Sequence, residues 1–152
     1  MSAGLTGAGG TWKSVRVENE AAMEALGRGL VAALPPRALV TLSGELGAGK
    51  SVLARAVLRA LGHEGPVPSP TYAIVESYAL SSRRVAHLDL YRLADPGELH
   101  DIGFEDVLAD HDLVLIEWPE RGGASLPDAS IAVRIEREED EVRRVTVTRR
   151  GG

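Results

Sequence analysis

The sequence predicts an α/β fold, a mixed β-sheet flanked by helices and closed by a C-terminal antiparallel hairpin. Three observations lead there. Short apolar runs of buried-strand type, ALVTLS at 38–43, VAHLD at 85–89 and LVLIE at 113–117, are interleaved with segments of helical spacing. A glycine-rich segment, GELGAGKS at 44–51, joins one of these runs to a helix. The last stretch, IAVRIERE, EDE and VRRVTVTRR, alternates between apolar and polar positions on either side of a turn.

Residues 1–11 read as a disordered tail and 12–150 as one domain. WKSVRV at 12–17 suits a short strand. A helix follows, with Asn19 as cap, Glu20 and Glu24 at its positive end, and Met23, Leu26, Leu30 and Leu34 at three- to four-residue spacing until Pro35 and Pro36 stop it. After the strand 38–43 and the glycine loop, Leu53, Val57 and Leu61 continue a helix from 51 to 61 that ends at Gly62. HEGPVPSP at 63–70 is loop and TYAIVESY at 71–78 strand-like. Strands are predicted over 84–90 and 112–117, each ending near a carboxylate, with short helical turns broken by Gly103 between them.

The bulk composition narrows the function. Of 152 residues, 44% are hydrophobic, enough for one core, and the formal charge of −5 gives no general footprint for nucleic acid or anionic lipid. The absence of cysteine excludes disulfides and thiolate metal sites. The N-terminal MSAGLTGAGG has no charged region followed by an apolar block, and no stretch approaches the roughly 20 apolar residues of a membrane span. A cytoplasmic protein is expected. Only two of the 17 cationic residues are lysine, Lys13 and Lys50. Lys50 therefore marks a position where a compact charge is wanted and a planar guanidinium does not serve.

GELGAGKS satisfies G-x-x-x-x-G-K-[ST] in the context that gives the pattern its mechanism, after a strand and at the start of a helix. Gly44, Gly47 and Gly49 let the amides turn inward around phosphate oxygens, and the helix beginning at Lys50 aims its positive end at the same charge. Lys50 then reaches the β and γ phosphates and Ser51 supplies a hydroxyl oxygen to Mg²⁺. The plain alternative is a glycine turn capping a helix. Asp89 and Glu117 each end an apolar run, so both fall at the C-terminal edge of a buried strand, where ligands of open α/β sheets bind. Each could instead cap the next turn or pair with an arginine. N-K-x-D, the guanine-reading pattern, is absent, which favours ATP over GTP.

SPTYAIVESY, HLDLYRL, LADPGEL and LIEWPERGG follow the loop in an order that resembles the TsaE family, from about Val15 to Ile135. The resemblance implies a P-loop ATPase of bacterial tRNA threonylcarbamoyladenosine synthesis that acts with TsaB and TsaD and meets tRNA through that complex. On matching positions it implies a nucleotide site of Gly44, Glu45, Leu46, Gly47, Ala48, Gly49, Lys50, Ser51 and Val52, joined by Trp118. Ser51 and Glu117 hold Mg²⁺, and Asp89 supports the metal or the attacking water. Lys50, Asp89, Glu117 and Thr71 form the catalytic set, Thr71 as a switch residue near the γ-phosphate. Trp118 is equally a packing aromatic. Two departures are mild: the family more often has Asp and Thr where Glu45 and Ser51 stand. No adenine contact is assigned around Asn19 to Met23, and Arg92 and Arg121 are either stabilisers of transition-state charge or surface ion-pair partners. A domain this small has little room for a lid, so hydrolysis by the isolated chain is expected to be slow and partner-activated through 63–71 and 94–110. Two other readings stand beside this one: a small-molecule kinase and a nucleotide-gated binding module.

Overall fold

A computed structural model describes residues 10–45, 47–68 and 75–149, with Thr11, Trp12 and Asp140 described by backbone only. Its elements run β1 (Gly10–Val17), α1 (Glu20–Ala32), β2 (Ala38–Ser43), α2 (Lys50–Ala60), β3 (Val75–Ala79), β4 (Arg84–Asp89), α3 (Glu98–Asp101), α4 (Phe104–Asp110), β5 (Leu113–Glu117), β6 (Ile131–Arg137) and β7 (Arg143–Arg149). The predicted α/β class holds. All strands join one seven-stranded sheet in the order β1-β7-β6-β2-β5-β4-β3. At its centre β6, β2, β5 and β4 are parallel, while β7 and β1 on one side and β3 on the other run antiparallel to their neighbours.

Strand parity divides the core. Val40 and Leu42 of β2, Leu113 and Leu115 of β5 and Ile135 of β6 pack with Met23, Leu26 and Leu30 of α1 and with Leu53 and Val57 of α2. Leu39, Leu88, Val114 and Ile116 point the other way, onto Leu99 and Phe104 of the two short helices. These alternating side chains are why the central strands read as unbroken apolar runs: both faces are covered. Asn19, in extended conformation, accepts the N–H of Ala22 at 2.8 Å and starts α1 as predicted. Gly27 lets α1 approach α2, since a Cβ there would lie 2.7 Å from the Cβ of Ala56.

The differences from the sequence reading are local. β1 begins at Gly10, two residues before Trp12, because β7 is long enough to pair Gly10 with Arg149. Residues 1–9 of the predicted tail, 71–74 of the strand-like TYAIVESY, and Arg150 lie outside the described residues. Leu34 follows α1 rather than ending it, and packs against the core from the loop. Asp112 precedes β5, its carboxylate taken by the N–H of Arg84 at 2.9 Å. Gly103, at φ 74°, separates α3 from α4 as expected. The hairpin β6–β7 forms, and β6 also pairs with β2, which carries the C-terminus into the middle of the sheet. Among the described residues no helix is long and apolar enough to cross a membrane.

Candidate functional site

The site lies at the C-terminal ends of β2, β4 and β5. The parallel ladder pairs Leu42 with Glu117 and Asp89 with Glu117, so both carboxylates leave neighbouring strands on the same face and at the same level. The loop after β2 closes over that edge. Gly44, at φ 149°, lies so close to β6 that a Cβ would run into the carbonyl oxygen of Ile135. Gly49, at φ 115°, turns the chain into α2, whose first residue is Lys50.

Lys50 is only 5% exposed. Its Nζ donates to the carbonyl oxygens of Gly44 at 2.6 Å and Glu45 at 2.9 Å, and sits 4.3 Å from the centroid of the Trp118 ring. Burial lowers its pKa from the usual lysine value, opposed by the negative charges of Glu117, Glu120, Asp89 and Glu45. Those four carboxylates favour the charged ammonium in a place where water does not.

Glu117 is buried, at 2% exposure. Its Oε1 lies 3.4 Å from the hydroxyl of Ser51 and its Oε2 2.7 Å from Nε2 of His87. The partner of this carboxylate is thus a histidine, not the arginine that a plain structural reading allowed. Asp89 shares the cleft and accepts the N–H of Tyr91 at 2.9 Å, so one of its oxygens does cap the following turn. Burial raises the Asp89 pKa above 3.8; the Tyr91 N–H opposes this and the Glu117 charge reinforces it. Among the described residues no three His, Asp or Glu gather to hold a metal unaided. Ser51 and Glu117 instead offer two oxygen donors side by side, a hard-cation set that a ligand's own oxygens would complete.

A cleft of about 370 Å³ is lined by Gly47, Gly49, Lys50, Ser51, Val52, Asp89, Tyr91, Arg92, Glu117 and Trp118. Ala48, wholly buried, supports the loop from beneath, and Glu45 is exposed at its rim. Leu46 and Thr71 lie outside the described residues. Trp118 adopts φ 59° and ψ 51°, an uncommon conformation for a bulky residue, which turns the chain sharply at the end of β5. Its ring packs on Tyr91 with centroids 4.8 Å apart, and Arg121 lies over Tyr91 at 5.3 Å. Trp118 is therefore both a packing aromatic and a wall of the cleft. A second hollow of about 230 Å³ opens on the other side of Gly49 and Val52, between Val17 to Glu20, Met23, Glu141 and Arg143.

Besides Tyr91, which lines the cleft, His87 and Arg143 belong to the site without being singled out from sequence. His87 lies two positions before Asp89 on one strand, so parity alone places both on one face; a histidine in an otherwise apolar run was the available signal. Arg143, on β7, donates from Nε to the carbonyl oxygen of Ala48 and from Nη2 to that of Gly47. Nothing in the local sequence connects positions 143 and 48.

The comparisons with known proteins agree with one another. The family model described as threonylcarbamoyl adenosine biosynthesis protein TsaE matches residues 17–145. TsaE of Haemophilus influenzae is 47% identical over 102 residues, which are 67% of this chain and 65% of the relative. TsaE of Streptomyces coelicolor is 38% identical over 133 residues, covering 83% of this chain and 89% of the relative. TsaE of Bacillus subtilis is 31% identical over 137 residues, covering 90% and 84%. The chain spans slightly less than two thirds of the first curated relatives it matches, 65% of the Haemophilus and 61% of the Rickettsia felis protein. Among solved structures, the crystal structure of YdiB from Bacillus subtilis superposes with a TM-score of 0.77 at 25% identity, covering 91% of this chain and 86% of that one.

Proposed function

The chain belongs to the TsaE family of tRNA threonylcarbamoyladenosine biosynthesis proteins, and on that footing we propose that it is the ATP-binding and ATP-hydrolysing member of that synthesis, dependent on Mg²⁺ and working with TsaB and TsaD. One observation carries the reading. A lysine at 5% exposure is held on the carbonyls of its own glycine loop, in a cleft that also contains Ser51, Glu117 and Asp89. Burying a lysine is costly without a compensating anion, and four carboxylates already repay part of that cost. A polyphosphate would supply the rest, and the loop amides and the start of α2 are built to receive it.

The residues divide the chemistry among them. Gly44 to Ser51 bind and orient the phosphates, with Lys50 as the point charge on the outer two. Ser51 and Glu117 would hold Mg²⁺, which when bound neutralises charge on the phosphate oxygens. Asp89, which lines the cleft, suits either metal support or acceptance of a proton from an attacking water. Trp118 and Tyr91 pack on each other and wall one side of the cleft. The hollow beyond Gly49 shares Gly49 and Val52 with the cleft and offers adjoining space for the nucleoside. Slow turnover alone and faster turnover with partners are part of the proposal, since many P-loop proteins complete the stabilisation of transition-state charge only when a partner docks.

The test is ATP turnover with Mg²⁺ by the full chain, alone and with purified TsaB and TsaD, with Lys50→Ala as control. Free phosphate released faster with the partners, and not by the variant, supports the proposal. ATP bound but not hydrolysed under either condition defeats it in favour of a nucleotide-gated binding module. ATP consumed without release of free phosphate would mean transfer to an acceptor.

A further inference from the structure

We propose that His87 is the positioning residue of Glu117: through Nε2 it holds one carboxylate oxygen so that the other stays beside the Ser51 hydroxyl. This rests on the reading of Ser51 and Glu117 as a metal-holding pair.

The geometry is specific. His87 is 1% exposed at the middle of β4, where its strand partner is Leu115, and its ring reaches one step further along the same face to Glu117. The Nε2 to Oε2 distance is 2.7 Å, with side chains 2% and 3% exposed. Nδ1 is buried and has no hydrogen-bond partner among the described residues. A proton on Nδ1 would be a buried donor with no acceptor, whereas a bare Nδ1 lone pair is cheaper to leave alone. The surroundings thus select the tautomer with its proton on Nε2, which donates to Glu117.

That bond has a consequence for the cleft. A glutamate carboxylate turns freely about its last torsion, so an untethered Glu117 could present either oxygen, or an edge between them, to Ser51. With Oε2 taken, Oε1 is the oxygen 3.4 Å from Ser51 Oγ. Ligating carboxylates are ordinarily held in this way by a second group, and loss of that group costs about 10–100-fold in metal affinity or activity. A histidine serving only to neutralise a core carboxylate would give no reason for the other oxygen to face a cleft.

Three variants separate the readings. His87→Gln keeps an amide donor at the reach of Nε2, His87→Asn keeps polarity but is too short, and His87→Leu keeps bulk without a donor. ATP affinity is measured by calorimetry with and without Mg²⁺, alongside melting temperature, and the wild-type imidazole tautomer is read from nitrogen-15 NMR. The proposal expects the Asn and Leu variants to lose about tenfold or more of the affinity gained from Mg²⁺, with metal-free affinity changed by no more than about twofold, and Gln to retain most of the gain. Should His87→Leu not fold, the Gln and Asn pair and the wild-type spectrum decide. A full Mg²⁺ gain in the Asn variant, or an Nε2 that carries no proton in the wild type, overturns the proposal. Wild-type protein that binds no ATP with or without Mg²⁺ overturns the ATPase reading itself, and this proposal with it.

Discussion

Arg143 donates from Nε to the carbonyl oxygen of Ala48 at 2.8 Å, tying the last strand of the sheet to the loop that opens α2. Because the peptide is trans and planar, fixing that carbonyl on Arg143 points the N–H of Gly49 to the opposite side. A second donor, Nη2, lies 3.4 Å from the carbonyl of Gly47. The C-terminal hairpin thus sets the orientation of loop amides nearly a hundred residues earlier in the chain.

Arg143→Ala should therefore loosen the loop as well as the fold. The expected loss of stability is about 1.5–3 kcal/mol, the range for hydrogen bonds that involve a charged group, with ATP affinity falling several-fold. Arg143→Lys should recover little of either, since a single ammonium does not match a fork spread over two carbonyls. Denaturant unfolding and calorimetric titration check both. Wild-type affinity in the lysine variant would show that charge alone, and not the fork, is what the loop needs.

How far the site is legible in sequence follows from how local each feature is. The glycine loop is contiguous, so its lysine and hydroxyl are visible as a pattern. Asp89 and Glu117 are visible because each ends an apolar run, and strand parity puts them on one face. His87 was within reach of the same parity argument, two residues before Asp89. Arg143 was not, nor was the insertion of β6 beside β2, because strand pairing across some ninety residues leaves no mark on either strand's own pattern. The same holds for Gly44, whose glycine is required as much by the carbonyl of Ile135 as by any ligand.

Glycine positions in this chain should respond in opposite directions to the same change. Gly44→Ala meets the Ile135 carbonyl and keeps a φ of 149° that a side chain resists, so a loss of about 2 kcal/mol or more is expected. Gly29 lies within α1, and a methyl group there would have nothing within 4 Å, so Gly29→Ala should stabilise by about 0.5–1 kcal/mol. Thermal melts of the two variants are sufficient. A neutral Gly44→Ala would mean that β6 and the loop separate easily.

Trp118 should report on the cleft. The chain has two tryptophans, Trp12 and Trp118, and the ring of the second lies 4.3 Å from the Lys50 ammonium. A ligand that draws Lys50 away from the ring changes the charge next to the indole, and so its emission. ATP is expected to alter the fluorescence of wild type and of Trp12→Phe, but not of Trp118→Phe. A response that persists without Trp118 would locate the change elsewhere in the chain.

Asp89 should cost the fold stability at neutral pH. Burial raises its pKa in the folded state above the 3.8 of an ordinary aspartate, with Glu117 adding to the rise and the Tyr91 N–H subtracting from it. A folded state that holds the proton more tightly gains its full contribution below the unfolded pKa and loses it as pH climbs through the folded one. At neutral pH the carboxylate is therefore a charge retained against stability. Asp89→Asn removes the charge and keeps an oxygen for the Tyr91 N–H, so its melting temperature near neutral pH should exceed wild type by about 2 °C. That advantage should shrink as pH falls through the raised folded-state pKa toward the ordinary aspartate range, as the wild-type carboxyl takes up its own proton. ATP turnover should meanwhile be lost, because the amide offers neither a negative charge to support a metal nor an acceptor for a proton from water. Melting curves across the acidic range, compared with turnover, test both halves. An advantage that grows on acidification would reverse the sign of the argument and mean that ionised Asp89 supports the fold.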